Sequence, residues 1–201
     1  TSSIADEGKS FVSKNIAFSL AQSGKRVVLL DMDFRRPNLS LSFNLVDKLG
    51  IVNYLMGGFR MEDIVHNSAE VENLAILPAG TKGSDQTKLL LNGKLETLFK
   101  ELSDSFDYII MDSAPLGLVS DANILTEYSD LNLLVIRHGV SPKKIIQRLG
   151  LVEGGEFLKN TGIVFNGLKK RGFTKETSGY GYGYNIAYGN GYFAENSVNK
   201  K

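Results

Sequence analysis

The chain of 201 residues contains no cysteine and no tryptophan, four prolines and two histidines. Without thiols there is no disulfide, no thiolate zinc site and no iron–sulfur cluster, a composition that fits a reducing compartment. His66 and His138 lie on separate segments without metal-ligand spacing, so both read as surface or packing residues. No apolar run approaches the roughly 18–20 residues a membrane span needs, and the polar start shows no signal-peptide pattern. With 23 Lys+Arg against 22 Asp+Glu the net charge is +1. That gives no electrostatic bias toward nucleic acid or an anionic membrane. What is present is 42% hydrophobic residues, enough for one ordinary globular core.

From residue 1 to about 171, short apolar runs alternate with helix-like stretches. Val27–Asp31, Leu74–Leu77, Tyr108–Asp112, Leu131–Ile136 and Ile163–Asn166 read as strands. Most are continuously apolar, as strands covered on both faces of a parallel sheet are. Lys9–Gln22, Gln86–Leu102, Asp121–Tyr128 and Pro142–Leu149 read as helices. Ser23-Gly24 ends the first of these and Ser141-Pro142 opens the last. This alternation predicts an α/β fold with a doubly wound, mostly parallel sheet. Residues 172–201 change character: glycine, tyrosine, asparagine and serine dominate and no apolar periodicity remains. They are expected to form a mobile tail behind a domain spanning 1–171.

Three motifs carry chemistry. The opening TSSIADEGKS ends in Gly8-Lys9-Ser10 at a helix start, the second half of a phosphate-binding loop. Such a loop needs backbone N–H groups at a helix N-terminus, a lysine for the β/γ-phosphates and a hydroxyl for Mg²⁺. Alone, the tripeptide also fits a plain helix start. In LLDMDFRRP, Asp31 and Asp33 sit at the C-terminal end of a buried strand, where α/β sheets bind ligands. If the strand stays straight, both face one Mg²⁺–phosphate site; if it bends, they take different roles. In DYIIMDSAP, an apolar run ends in Asp112, a Walker-B pattern for holding Mg²⁺. Each motif alone has a bland reading as a turn or a solvated loop. Together, in one α/β domain, they specify a nucleoside-triphosphate site.

In these motifs the sequence resembles the bacterial tyrosine kinases of the Wzc/CapB/CpsD type. ADEGKS matches a relaxed Walker A loop, VLLDMDFRRP a Walker A′, IIMDSAP a Walker B, and a C-terminal tyrosine cluster closes the chain. The resemblance implies a deviant P-loop fold of the MinD/ParA kind and the substrates ATP and Mg²⁺. It also implies transfer of the γ-phosphoryl group to tyrosines of the chain's own tail. It places Asp6, Glu7, Gly8, Lys9, Ser10 and Phe11 along the nucleotide, with Lys9 on the phosphates and Ser10 on Mg²⁺. Asp31 becomes the base, and Asp33 and Asp112 the metal-linked acids. Arg35 either counters phosphoryl charge or braces the loop. Arg137 is placed near the nucleotide and Asn166 at the adenine. Tyr180, Tyr182, Tyr184, Tyr188 and Tyr192 become the phosphate acceptors. Around the domain the resemblance implies a homo-oligomer, with a ring suspected, a transmembrane activator and a cognate phosphatase. It further implies a place at the inner membrane face and a role in exopolysaccharide or capsule export.

Four departures stand out. Ser3 replaces the first loop glycine, Ala114 replaces a Walker-B proline, and LPAGTKGSDQTKLL has lost two prolines and carries Lys88 in place of an acid. A phosphate loop also normally follows a central strand, and none precedes Thr1, so the chain is expected to continue upstream. The rival reading is a ParA/MinD-like ATPase switch. Its signature lysine falls at Ile4 here, and no amphipathic membrane helix closes the chain.

Overall fold

The computed structural model describes residues 1–81, 86–116, 121–144 and 160–168. These belong to one unit, Thr1–Leu168. The expected tail with its five acceptor tyrosines, and most of the Pro142–Leu149 helix, lie outside the described residues.

The elements run α1 (Lys9–Gln22), β1 (Val27–Met32), α2 (Asn38–Ser42), α3 (Ile51–Met56), α4 (Met61–Ile64), β2 (His66–Asn67) and β3 (Leu74–Leu77). They continue with α5 (Gln86–Leu90), α6 (Lys94–Ser105), β4 (Tyr108–Ser113), α7 (Asp121–Thr126), β5 (Asn132–Arg137) and β6 (Thr161–Asn166). The first sheet has the order β2-β3-β1-β4, and β5 pairs with β6 separately. β1 is parallel to β3 and β4, β5 is parallel to β6, and only β2 runs antiparallel, beside β3. Thr1 and Ser2 run between β5 and the segment that follows β4. Ser2 bridges Val135 in parallel, the Val135 N–H donates to Thr1 O at 2.9 Å, and the Leu116 N–H donates to Ser2 O at 2.9 Å.

All six residues of β1 are buried, which is why its sequence is apolar up to the functional acid. Its side chains alternate between two packed layers. Val27 and Leu29 meet Ala17 and Ala21 of α1, with Leu39 and Leu74. Val28, Leu30 and Met32 meet Ile51, Leu55, Leu95, Leu98 and Leu102 on the other side. The buried set Leu95, Leu98, Phe99 and Leu102 follows the 3.6-residue period of an amphipathic helix.

Two expectations need correction. The single helix over Gln86–Leu102 is two helices, α5 and α6, parted at Leu91–Gly93. Gly93 takes φ 80°, and Asn92 turns back to accept the Lys94 N–H and to donate to Leu55 O at 2.8 Å. The stretch between β1 and β3 holds α2, α3, α4 and β2, none of which periodicity revealed. Each is shorter than two turns or is a two-residue strand, too short for a period to register.

Candidate functional site

Gly8 begins the site. It has φ 94°, the left-handed region open to glycine, and caps α1. A Cβ at this position would also run into the side-chain amide of Asn166. The turn delivers Lys9 into a buried position, where its Nζ lies 3.1 Å from Asp33 Oδ2 and 3.7 Å from Asp112 Oδ1. Lys9 Nζ also approaches the Ser10 hydroxyl at 3.4 Å. Residues from three separate motifs therefore converge at the N-terminus of α1, where backbone N–H groups and the helix dipole favour anions.

Asp112 is buried, and neither of its oxygens accepts a hydrogen bond among the described residues. Burial pushes its carboxyl up, against the opposing pull of Lys9 and the Ser10 hydroxyl. An unsatisfied buried carboxylate beside a hydroxyl fits a hard cation that brings water and phosphate oxygens with it. The described residues contain no cluster of three or more His, Cys, Asp or Glu able to cage a metal alone. Ser10, Asp33 and Asp112 offer oxygen donors of the kind Mg²⁺ takes, with Asp33 Oδ2 lying 3.1 Å from Lys9 Nζ.

Asp31 and Asp33 do not act as a straight-strand pair. Asp33 turns to Lys9 and takes the Arg36 N–H on Oδ1 at 3.1 Å. Asp31 turns to α2, where Oδ2 accepts both the Ser40 N–H and the Ser40 hydroxyl at 2.7 Å. Its Oδ1 accepts only the longer Asp33 N–H contact, at 3.3 Å, among the described residues. Burial, partly offset by the Ser40 bonds, raises the Asp31 carboxyl to about 6. The Ser40 hydroxyl also accepts the Ala79 N–H at 2.9 Å, tying Asp31 to the loop after β3. Asn53 braces that loop from α3, accepting the Gly50 and Thr81 N–H groups. Ser40 carries no motif signal, because one serine among polar residues after a strand is ordinary.

The loop ahead of Gly8 is held from the side of β5 and β6. Arg137 Nη1 donates to Asp6 O and Asn166 Nδ2 donates to Glu7 O, both at 2.9 Å. Both residues therefore reach the phosphate loop, and the Asn166 amide is engaged with loop backbone. Glu7 points into the protein and is fully buried. Its carboxylate accepts the Ser3 N–H and hydroxyl at 2.6 Å, the Ile4 N–H at 2.9 Å, and the Ser141 hydroxyl. Ser3, the departure from glycine, is thus a hydrogen-bond donor within the loop. Arg35 stands apart, 56% exposed, with its Nε 3.9 Å from buried Asp121 at the start of α7. Phe11 is 66% exposed, so its ring packs little against the fold.

The AAA domain family matches residues 6–142. Tyrosine-protein kinase CpsD of Streptococcus pneumoniae is 34% identical over 187 residues, spanning 91% of this chain and 79% of its own length. Tyrosine-protein kinase ptk of Acinetobacter johnsonii is 33% identical over 86% of this chain, which spans only 23% of that relative. Among solved structures, the VpsO kinase domain superposes with a TM-score of 0.76 at 31% identity, covering 84% of this chain and 83% of that one. The MinD cell division protein of Aquifex aeolicus gives 0.65 at 27%, covering 84% of this chain and 67% of that one. The MinD likeness supports the expected P-loop α/β fold, while the kinase relatives are the nearer of these matches.

Proposed function

The chain belongs to the bacterial tyrosine-protein kinase family that includes CpsD, and from that premise we propose that it transfers the γ-phosphoryl group of MgATP to tyrosines of its own C-terminal cluster. One observation carries the proposal. Lys9, Asp33 and Asp112, drawn from three distant motifs, meet within 3.7 Å at the start of α1, with Asp112 left unsatisfied.

In this reading MgATP lies at the C-terminal ends of β1 and β4, its phosphates on the N-terminus of α1. Lys9 neutralises the β/γ-phosphates. Ser10, Asp33 and Asp112 would hold Mg²⁺, which would supply positive charge to offset that on the transferring group. A tyrosine hydroxyl, with an ordinary pKa near 10, is a poor nucleophile at neutral pH. Asp31 takes its proton as the phenolic oxygen bonds to the γ-phosphorus and the bond to the β-phosphate oxygen breaks, releasing ADP. Two features support Asp31 in this role: a carboxyl raised to about 6, and one oxygen, Oδ1, with a single long contact among the described residues. Because Asp31 is fully buried, the substrate must displace covering groups to reach it. Arg35, paired with Asp121, braces the loop after β1 in this reading. Asp6, Glu7, Gly8, Arg137 and Asn166 shape the nucleotide-binding loop, and Phe11 offers an exposed ring next to Ser10.

The finer expectations join the proposal: acceptors Tyr180, Tyr182, Tyr184, Tyr188 and Tyr192, transfer between neighbouring subunits of a homo-oligomer, and a membrane activator. So do reversal by a phosphatase, action at the inner membrane face, and control of exopolysaccharide export. Their support is the glycine-spaced tyrosine cluster and the family. No helix among the described residues is long and apolar enough to cross a membrane.

The test is incubation with MgATP followed by intact mass and phosphotyrosine mapping. Added phosphate on the tail, absent in Lys9→Met, is expected. Hydrolysis without phosphate on the chain would instead favour an ATPase switch of the MinD kind. Retained transfer in Asp31→Asn would remove that residue from the base role.

A further inference from the structure

We infer that Ser141, in the turn after β5, is a positioning residue for the nucleotide's phosphates and acts through the buried carboxylate of Glu7. The inference rests on the nucleotide site proposed above. Glu7 follows the loop's third variable position and precedes Gly8, so its backbone belongs to the cradle while its side chain points away from it. A carboxylate with no exposure requires donors to remain charged. Glu7 has four, all neutral, and three come from the loop itself: the Ser3 N–H, the Ser3 hydroxyl and the Ile4 N–H. Those three close residues 3–7 into a ring around the carboxylate. They fix the loop's shape but not its place.

The fourth donor is the Ser141 hydroxyl, 134 positions away in sequence, which bonds Glu7 Oε1. Ser141 is itself anchored, since its oxygen accepts the Arg137 N–H at 2.6 Å at the end of β5. The line Arg137 N–H, Ser141 Oγ, Glu7 Oε1 and Ser3 therefore joins a strand end to the interior of the phosphate loop. Arg137 Nη1 on Asp6 O and Asn166 Nδ2 on Glu7 O hold the same loop by its backbone carbonyls. Arg137 grips the loop through its charged guanidinium, and Ser141 through the inward-facing carboxylate of Glu7. Charge-assisted hydrogen bonds are about twice as strong as neutral ones, so the Arg137 and Ser141 contacts together place Gly8, Lys9 and Ser10 relative to the sheet, and Ser141 is the one that acts through the buried carboxylate. Phosphate binding by consecutive N–H groups falls off steeply once the donors leave register.

The experiment measures MgADP affinity of the full chain by calorimetry, together with melting temperature without nucleotide. Ser141→Ala is expected to weaken MgADP by about tenfold, the scale of one hydrogen bond to a charged group. Ser141→Thr, which keeps the hydroxyl, is expected to bind within about twofold of wild type. Glu7→Gln is expected to weaken binding as well, and Ser141→Ala added to it should cost little more, because the two residues act as one unit. In kinetics the loss in Ser141→Ala should fall on KM for ATP, with kcat retained. If the wild type binds MgADP and Ser141→Ala binds it equally, or if the Thr variant is as weak as Ala, the inference is wrong. If the wild type binds no MgADP, the nucleotide site itself is wrong.

Discussion

The Ser40 main-chain N–H and hydroxyl converge on one oxygen of Asp31, each at 2.7 Å, while the same hydroxyl receives the Ala79 N–H at 2.9 Å. One buried side chain thus orients the proposed base and ties it to the loop after β3. Ser40→Ala removes a hydrogen bond to a charged acceptor and orphans a buried N–H. The expected outcome is a fall in kcat of about tenfold with KM for ATP nearly unchanged, plus a loss of about 1–3 kcal/mol in stability. Steady-state phosphotyrosine formation and urea unfolding check the two parts.

The raised carboxyl of Asp31 has a definite pH signature. Its pKa is about 6 in the folded chain, above its ordinary 3.8. The folded state therefore binds the proton more tightly than the unfolded state, and the group's contribution to stability is full below pH 4. It is lost as pH rises through 6, and the loss amounts to about 3 kcal/mol. Carbonyl-region NMR of the Asp31 side chain should titrate with a midpoint near 6, and a midpoint near 4 would contradict the assigned environment.

Asp112 illustrates a conflict between stability and activity. Its carboxylate is buried without a hydrogen bond, and burial raises its pKa. Asp112→Asn relieves that burial but also removes one of the two acids facing the Lys9 ammonium, while Asp33 remains, so the melting temperature without nucleotide should stay near that of wild type at neutral pH. The same change removes a proposed Mg²⁺ partner, so phosphotyrosine formation should fall by at least about a hundredfold. Loss of both stability and activity would mark Asp112 as structural instead.

Gly8→Ala should eliminate nucleotide binding. The backbone φ of 94° disfavours any side chain, and the added methyl would collide with the Asn166 amide that donates to Glu7 O. The expected result is no measurable MgADP binding by calorimetry. A milder Asn166→Ala should weaken binding without abolishing it.

Transfer between subunits can be read directly from a mixture. Lys9→Met chains keep their tail tyrosines but lack the phosphate lysine; chains with all five tail tyrosines changed to phenylalanine keep the site but offer no acceptor there. Mixed, they should yield phosphate on the Lys9→Met tails. Neither variant alone should show tail phosphorylation. Filling five tyrosines would add roughly −8 to −10 charges to each chain, so phosphorylation should also lower the mass of the proposed homo-oligomer in sedimentation.

The parts of the site legible in the sequence are those held by the phosphate loop and by strand ends. Lys9, Asp33 and Asp112 could be named because a phosphate loop and acid-tipped apolar strands leave a local signature, and the structure brings these three together. The divergence of Asp31 from Asp33 was one of two open alternatives, decided by α2, a five-residue helix with no readable period. Ser40 is silent in the sequence and Ser141 stands out only as a helix start, because the partners they bond lie 9 and 134 positions away. Arg137 and Asn166 stood out at strand ends, yet the atoms they touch are loop carbonyls, a relation fixed only when β5 and β6 fold beside residues 6–8. The helix break at Asn92-Gly93 was signalled by a turn dipeptide inside a helical pattern, and the apolar spacing on either side concealed it.

The two-residue strand β2 runs opposite to its neighbour and lies at the outer side of β3. Such a short antiparallel strip leaves little bare ladder for another chain to extend. A second copy brought against that flank therefore finds little backbone there on which to extend its own sheet. Contact on that side has to be made by side chains rather than by a continued β-ladder.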